Sequence, residues 1–125
     1  MRALFLCAAV GAVLPMAAAA QIPDPATIEA GRAAFAPCRP CHSVGKGDNR
    51  LGPSLHGIVG RKVASLAGYD FSPAMKACGG TWTRGRLDAY LAAPRQVVPN
   101  SKMSFAGIRD PARRAALIEY LATLR

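Results

Sequence analysis

Four stretches of the chain carry apolar residues at helical spacing, and most are opened by a capping residue followed by proline. In the first, Ile28, Gly31, Ala34 and Phe35 fall on one face. Asp24 stands before it to accept from free N–H groups, and Pro25 suits the first helical position, where its missing N–H costs nothing. Pro37 ends the segment. Ser72-Pro73 repeats the opening and predicts a short helix that stops at Gly79-Gly80. Thr83 caps a third helix through Leu87, Tyr90 and Leu91, which closes before Pro94. Asp110-Pro111 opens the last, with Leu117, Ile118, Leu121 and Leu124 on one stripe. Arg113, Arg114 and Glu119 fall on its other side.

Between these helices the chain reads as loop. Residues 43–68 hold Gly45, Gly47, Gly52, Pro53, Gly57, Gly60 and Gly68, and a second loop runs over 95–109. The period-two alternation of strands is absent, so the fold class is all-α, four or so short helices joined by long loops. Loops of that length count against a compact domain unless they have work to do, and wrapping a large bound cofactor would supply it. Gly31 costs its helix about 1 kcal/mol relative to alanine, which close approach by another helix would explain.

The first twenty residues differ from the rest. Arg2 is their only charge, an apolar run follows from Ala3 to Val13, and the segment exits through Pro15 and four alanines ending at Ala20. That is the order of a secretory signal peptide, and it predicts cleavage after Ala20. An uncleaved tether is the alternative, although Pro15 interrupts the run early for a spanning helix. Cys7 sits too early, after a bulky leucine, for a lipid attachment signal. Cleavage would leave a single domain over residues 21–125, with 105 of the 125 residues and a charge of +8, one less than the +9 of the full chain. A domain so short commonly needs a metal, disulfide or cofactor as a staple. Its cations are scattered, with no dense run, which together with export argues against nucleic acid as a partner. Acidic protein surfaces fit better, with membrane contact peripheral at most, and net charge also keeps a small monomer soluble.

Three cysteines remain beyond residue 20, and an odd number cannot all pair as disulfides. Cys38-Arg39-Pro40-Cys41-His42 is the C-x-x-C-H signature of covalent haem attachment. Two thiols at this spacing can reach the two vinyl groups of one porphyrin, and the next residue, His42, can give a nitrogen to the iron. A thioredoxin-like pair would need a βαβ pattern that is missing. A zinc site from Cys38, Cys41, Cys78 and His42 or His56 lacks a second close ligand pair. A plain Cys38–Cys41 disulfide is the structural alternative. The far side of the iron calls for methionine or histidine, and the candidates are Met75, Met103 and His56. Met103 lies in an interhelical loop able to lay its sulfur over the ring. Met75 sits within a short helix, where methionine more often packs.

Beyond the motif, the chain from Glu29 to Arg125 resembles the mitochondrial-type class I cytochromes c and their soluble bacterial, cytochrome c2-like relatives. The blocks that carry the resemblance are Gly31…Phe35…Cys38-x-x-Cys41-His42, Gly52-Pro53-Ser54-Leu55-His56-Gly57, Gly60-Arg61-Lys62, Thr81-Trp82, Tyr90-Leu91-x-x-Pro94, Pro99-x-x-Lys102-Met103-Ser104-Phe105-Ala106-Gly107-Ile108 and Leu117-Ile118-x-Tyr120-Leu121. The resemblance implies a cytochrome c fold around one haem c, with His42 and Met103 as axial ligands. It implies that the Pro53 carbonyl holds the free nitrogen of His42 and that the Tyr90 hydroxyl lies near the Met103 sulfur. Arg61 and Trp82 would bond the propionates, with Ser101 and Lys102 completing the cofactor-binding set. Gly31 and Phe35 would meet the last helix near Tyr120 and Leu121. Two positions depart from the family: Phe71 stands where a tyrosine usually contacts a propionate, with Tyr69 a substitute two residues earlier. Met75 stands where an asparagine is frequent.

The function so implied is one-electron carriage between Fe(II) and Fe(III), without substrate turnover, in the periplasm of a Gram-negative bacterium. Arg50, Arg95, Lys102 and Arg109 match cations that ring the haem edge in the family and would meet acidic redox partners: a bc-type complex, a terminal oxidase, a photosynthetic reaction centre or a periplasmic dehydrogenase. The rivals are a haem enzyme or a gas-binding sensor, both of which need the coordination site that Met103 closes. Cys78 has no role in any of these readings.

Overall fold

The capping residues do what their types predict. In a computed structural model of the chain, which describes residues 21–125, Asp24 accepts from the Thr27 N–H and opens α1 (Pro25–Ala34). Ser72 accepts from Met75 and opens α2 (Pro73–Cys78), and Thr83 accepts from Arg86 and opens α3 (Arg84–Ala92). Asp110 accepts from Ala112 and Arg113 and opens the last helix, Pro111–Ala122. The expected signal peptide over residues 1–20, with Cys7, lies outside the described residues. Among the described residues no helix is long and apolar enough to cross a membrane.

One element departs from expectation. Pro94 both stops α3 and starts a four-residue helix, α4 (Pro94–Val97), in the stretch expected to be loop, so the last helix is α5. The same fixed φ that breaks one helix suits the first position of another. A short 3₁₀ turn, Ala36–Cys38, leads from α1 into the C-x-x-C-H segment. The described residues form no strand, only an isolated bridge between Lys62 and Thr81.

α1 and α5 cross at Gly31. A Cβ there would stand 2.6 Å from the Tyr120 Cβ and would overlap the Ala116 carbonyl, so only glycine permits the crossing. Phe35 packs on Tyr120 with ring centroids 5.8 Å apart, and Leu117, Ile118 and Leu121 are buried beside them. Each of these large side chains contributes about 1.5–3 kcal/mol on burial. α3 joins α5 through Arg84–Glu119 at 3.0 Å and Arg114–Asp88 at 2.8 Å. Arg114 therefore does not lie on the solvated side of α5. Its side chain is only 12% exposed, and it also donates to the carbonyls of Ile108 and Arg109.

The long loops are tied down by side chains rather than by a sheet. Ser54, fully buried, donates to the Gly45 carbonyl at 2.6 Å and its N–H donates to Asn49. Gly57 donates to the carbonyl of Leu124, fixing the first loop to the end of the chain. The loops and α3 thereby surround a cavity on one side of the α1–α5 pair.

Candidate haem-binding site

The segment after α1 presents the attachment motif. His42 N–H bonds to the Cys38 carbonyl at 2.9 Å, closing a single helical turn that brings Cys38, Cys41 and His42 to one wall. No disulfide joins Cys38 to Cys41. Burial pushes the Cys38 thiol upward, with Arg113 opposing. His42 Nδ1 lies 2.7 Å from the Pro53 carbonyl. A carbonyl only accepts, so Nδ1 carries the proton and Nε2 is left with a free lone pair for a metal. Burial holds the His42 pKa below its ordinary value, with the Pro53 bond opposing, so the ring is neutral and fit to ligate near pH 7. Gly52 makes room for it: a Cβ there would come within 2.5 Å of the imidazole Cε1.

The opposite wall comes from α3 and the loop after α4. Met103 is placed by a chain of backbone bonds, Val98 N–H to Pro94 and Ile108 N–H to Leu91, and by Ser101 Oγ, which accepts from the Met103 N–H at 3.3 Å. Tyr90 donates its hydroxyl to the Met103 sulfur at 3.7 Å. Burial raises the Tyr90 pKa above its ordinary value, with a Ser101 bond opposing, so the phenol remains a neutral donor. Lys102 reaches across to Asp70, Nζ to Oδ2 at 3.0 Å, and lies 5.9 Å from the Tyr69 ring. That contact straps the Met103 loop to residues 69–71.

The third side holds Arg61 and Trp82. Arg61 donates to the carbonyls of Ser54 and His56, and burial lowers its pKa. Trp82 is buried, 5.0 Å from the Tyr90 ring, with its backbone paired to Arg61 and Gly60. Tyr69 packs edge-on to Phe71 at 4.8 Å and spends its hydroxyl on the Leu51 carbonyl at 2.8 Å.

All ten residues expected to bind the cofactor line one cavity of about 410 Å³: Cys38, Cys41, His42, Pro53, Arg61, Trp82, Tyr90, Ser101, Lys102 and Met103. Met75, Tyr69 and Phe71 line it too, whereas His56 and Cys78 do not. His56 faces the Val44 carbonyl at 3.3 Å. Gly52, Leu51 and Asp70 were not singled out by the sequence, although Gly52 stood in a matched block. The volume falls in the range of about 300–1,000 Å³ usual for cofactor pockets. Two thiols on one edge, an imidazole with its far nitrogen anchored, a thioether from another segment and a largely apolar lining form the donor set that a covalent haem requires.

No protein-family model matches the chain. Cytochrome c2 iso-2 of Magnetospirillum fulvum is 50% identical over 91 residues, covering 73% of this chain and 95% of that protein. The chain belongs to the class I c-type cytochromes. Cytochrome c-550 of Nitrobacter winogradskyi is 42% identical over 96 residues, covering 76% of this chain and 88% of that one. The structure is similar to cytochrome cH from Methylobacterium extorquens, with a TM-score of 0.73 and 44% identity, over 77% of this chain and 97% of the other. As a class I cytochrome the chain has the all-α cytochrome c fold and binds haem c covalently through Cys38 and Cys41 of its C-x-x-C-H motif. It is an electron carrier rather than an enzyme.

The cations expected to meet partners divide into two kinds. Arg50 pairs with Asp48 at 2.9 Å and Lys102 with Asp70. Arg95 and Arg109 are exposed and make no ion pair among the described residues.

Proposed function

We propose that this cytochrome is an exported carrier of the Gram-negative periplasm, released by cleavage after Ala20 as a single domain over 21–125. Its haem iron would cycle between Fe(III) and Fe(II) with His42 and Met103 as axial ligands. Retention of residues 1–20 as a tether is the alternative for its attachment to the membrane. The haem supplies the one-electron couple when bound, and the protein sets its orientation, polarity and access.

In this reading the Pro53 carbonyl holds the His42 ring in the tautomer that can ligate, and Gly52 leaves space for it. Tyr90 donates to the Met103 sulfur and Ser101 steadies the loop that carries it. Arg61 and Trp82 receive the propionates on the third side. Phe71 contributes no hydroxyl there, and Tyr69 directs its own to Leu51, so that end of the site depends more on Arg61 and Trp82. Met75 makes the cavity wall apolar at its position and keeps water away. A neutral thioether and a dry cavity both favour the reduced state.

The partners are redox proteins with acidic surfaces, of the kind found on a bc-type complex, terminal oxidase, reaction centre or periplasmic dehydrogenase. Arg50, Arg95, Lys102 and Arg109 would steer such a partner to the cavity mouth, with most of the field from unpaired Arg95 and Arg109.

The observation that carries the assignment is the placement of His42 and Met103 in the lining of one cavity, His42 Nδ1 bonded to the Pro53 carbonyl and the Met103 sulfur to the Tyr90 hydroxyl. Intact mass with a pyridine haemochrome spectrum measures haem attachment and cleavage together. The ferric protein should show the weak near-infrared band of methionine ligation, and Met103→Ala should lose it. A parent protein without that band, high-spin and quick to bind carbon monoxide when reduced, would overturn the ligand assignment.

A further inference from the structure

Every aspartate and glutamate of the chain is already committed. Asp24 and Asp110 cap helices, and Glu29, Asp48, Asp70, Asp88 and Glu119 pair with Arg32, Arg50, Lys102 and Lys76, Arg114 and Arg84. None faces Arg86, a half-buried residue of α3. Its guanidinium lies over the Trp82 ring, 5.5 Å from the centroid, and Nη2 donates to the Cys78 carbonyl at 3.3 Å. Gly80, at φ +76°, passes so close that a Cβ there would overlap Nη1. The end of α2, the Gly79-Gly80 turn and the indole thus hold the cation from three directions. Trp82 lines the cavity and Arg86 does not, so the charge is fixed immediately behind the wall.

We propose that Arg86 is a potential-setting residue of this cytochrome. A fixed cation disfavours the oxidised state, which carries one more positive charge than the reduced state, and so raises the midpoint potential. Three features make its charge count. It is half-buried, so water and salt screen it less than a surface arginine. No aspartate or glutamate of the chain pairs with it. Its hydrogen bond to a carbonyl and its place over the Trp82 ring hold it against the protein. Arg84, two residues earlier, has the same charge but lies against Glu119 and is 52% exposed. The inference rests on the haem lying between His42 and Met103 as proposed above.

The test is an equilibrium redox titration of the holoprotein at constant ionic strength, with near-infrared and far-UV spectra for each variant. Arg86→Gln and Arg86→Met remove the charge, the second keeping an apolar cover on the indole. Arg86→Lys keeps the charge and loses the flat fork. Arg84→Gln changes net charge equally at a site open to solvent, where water and salt screen it. At a fixed solution potential, both neutral Arg86 variants should raise the Fe(III)/Fe(II) ratio roughly threefold to tenfold, the scale of one unit charge acting through an effective dielectric of about 20. Arg86→Lys and Arg84→Gln should stay close to the parent. Parent-like potentials in both neutral variants would overturn the proposal. So would a fall in Arg86→Lys equal to theirs, which would assign the effect to packing, or an equal fall in Arg84→Gln, which would assign it to net charge. Absence of the methionine band from the parent itself would overturn the ligand reading instead, which keeps the two failures distinct.

Discussion

Replacing Gly31 with alanine separates helix propensity from helix packing. In an isolated helix the change is favourable by about 1 kcal/mol. Here the added Cβ would lie 2.6 Å from the Tyr120 Cβ, where ordinary contact begins at 3.4 Å, and would overlap the Ala116 carbonyl. Both obstacles lie on or next to the backbone of α5, so no side-chain rotation relieves them. α1 must move outward by most of an ångström, loosening Phe35 against Tyr120 and opening space beside Leu117. Overpacking of this kind costs about 1–3 kcal/mol, and rigid obstacles place it near 3. Subtracting the propensity gain leaves a net loss of about 2 kcal/mol, or about 10 °C in Tm for a domain of this size. Gly85→Ala is the matched control. It also lies in a helix, α3, and a Cβ there meets nothing within 4 Å, so it should raise Tm by a few degrees. Thermal melts of the two ferric holoproteins followed by far-UV circular dichroism give the comparison. A Gly31→Ala protein melting at or above the parent would refute the account of the α1–α5 crossing.

Other substitutions address the site. Tyr90→Phe removes the donor to the Met103 sulfur; the near-infrared band should persist while the midpoint potential falls, because an unbonded sulfur donates more readily to Fe(III). Asp70→Asn tests the strap to Lys102. The Lys102 hydrogen bond, then its charge and that of Lys76, hold the Asp70 carboxyl below its ordinary value. A carboxyl depressed in the folded state stabilises it above the unfolded pKa, and that contribution disappears as pH falls through the folded pKa. Guanidinium titration of the near-infrared band should therefore show Asp70→Asn weaker than the parent at pH 7, with the difference closing in acid below the usual carboxylate range. For partner encounter, stopped-flow electron transfer to an acidic redox protein should slow with salt. Arg95→Gln and Arg109→Gln should each flatten that dependence, and salt-independent rates in the parent would refute steering.

The helices were legible because their signals are local. Asp24-Pro25, Ser72-Pro73 and Asp110-Pro111 each place an acceptor beside a residue that needs no donor, and each opens a helix. Pro94 shows the limit of that reading. The residue that ends α3 also begins α4, and which role the chain uses beyond it depends on the backbone that Val98 and Ile108 fix against Pro94 and Leu91. Order and spacing singled out ten residues as the expected binding set, and the fold brings all ten to the lining of one cavity. Contacts between distant segments left no such trace. Gly52 is required by the imidazole of His42, ten residues earlier, and Lys102 finds Asp70 thirty-two residues away. Tyr69, a substitute for the missing Phe71 hydroxyl by spacing, bonds the Leu51 carbonyl eighteen residues earlier. Arg114, polar on a helical wheel, is drawn inward by two carbonyls and Asp88.

The same contacts change what a charge of +9 means. Counted along the sequence, sixteen cations face seven acids and nothing distinguishes the cations of the excess. In the fold the acids are all spent, two on helix ends and five on named arginines and lysines. The excess is therefore localised. Arg61 at the cavity wall and Arg86 behind it hold part of it, against carbonyls and an indole, where it acts on the redox couple. Among the described residues, Arg39, Lys46, Lys62, Arg95, Arg109, Arg113 and Arg125 hold the remainder on the surface, where it acts on encounter and is open to salt. Raising ionic strength should weaken the second effect far more than the first. A single salt titration that slows electron transfer steeply while moving the midpoint potential only slightly would show the two populations of charge acting separately, and a parallel fall in both would show that they do not.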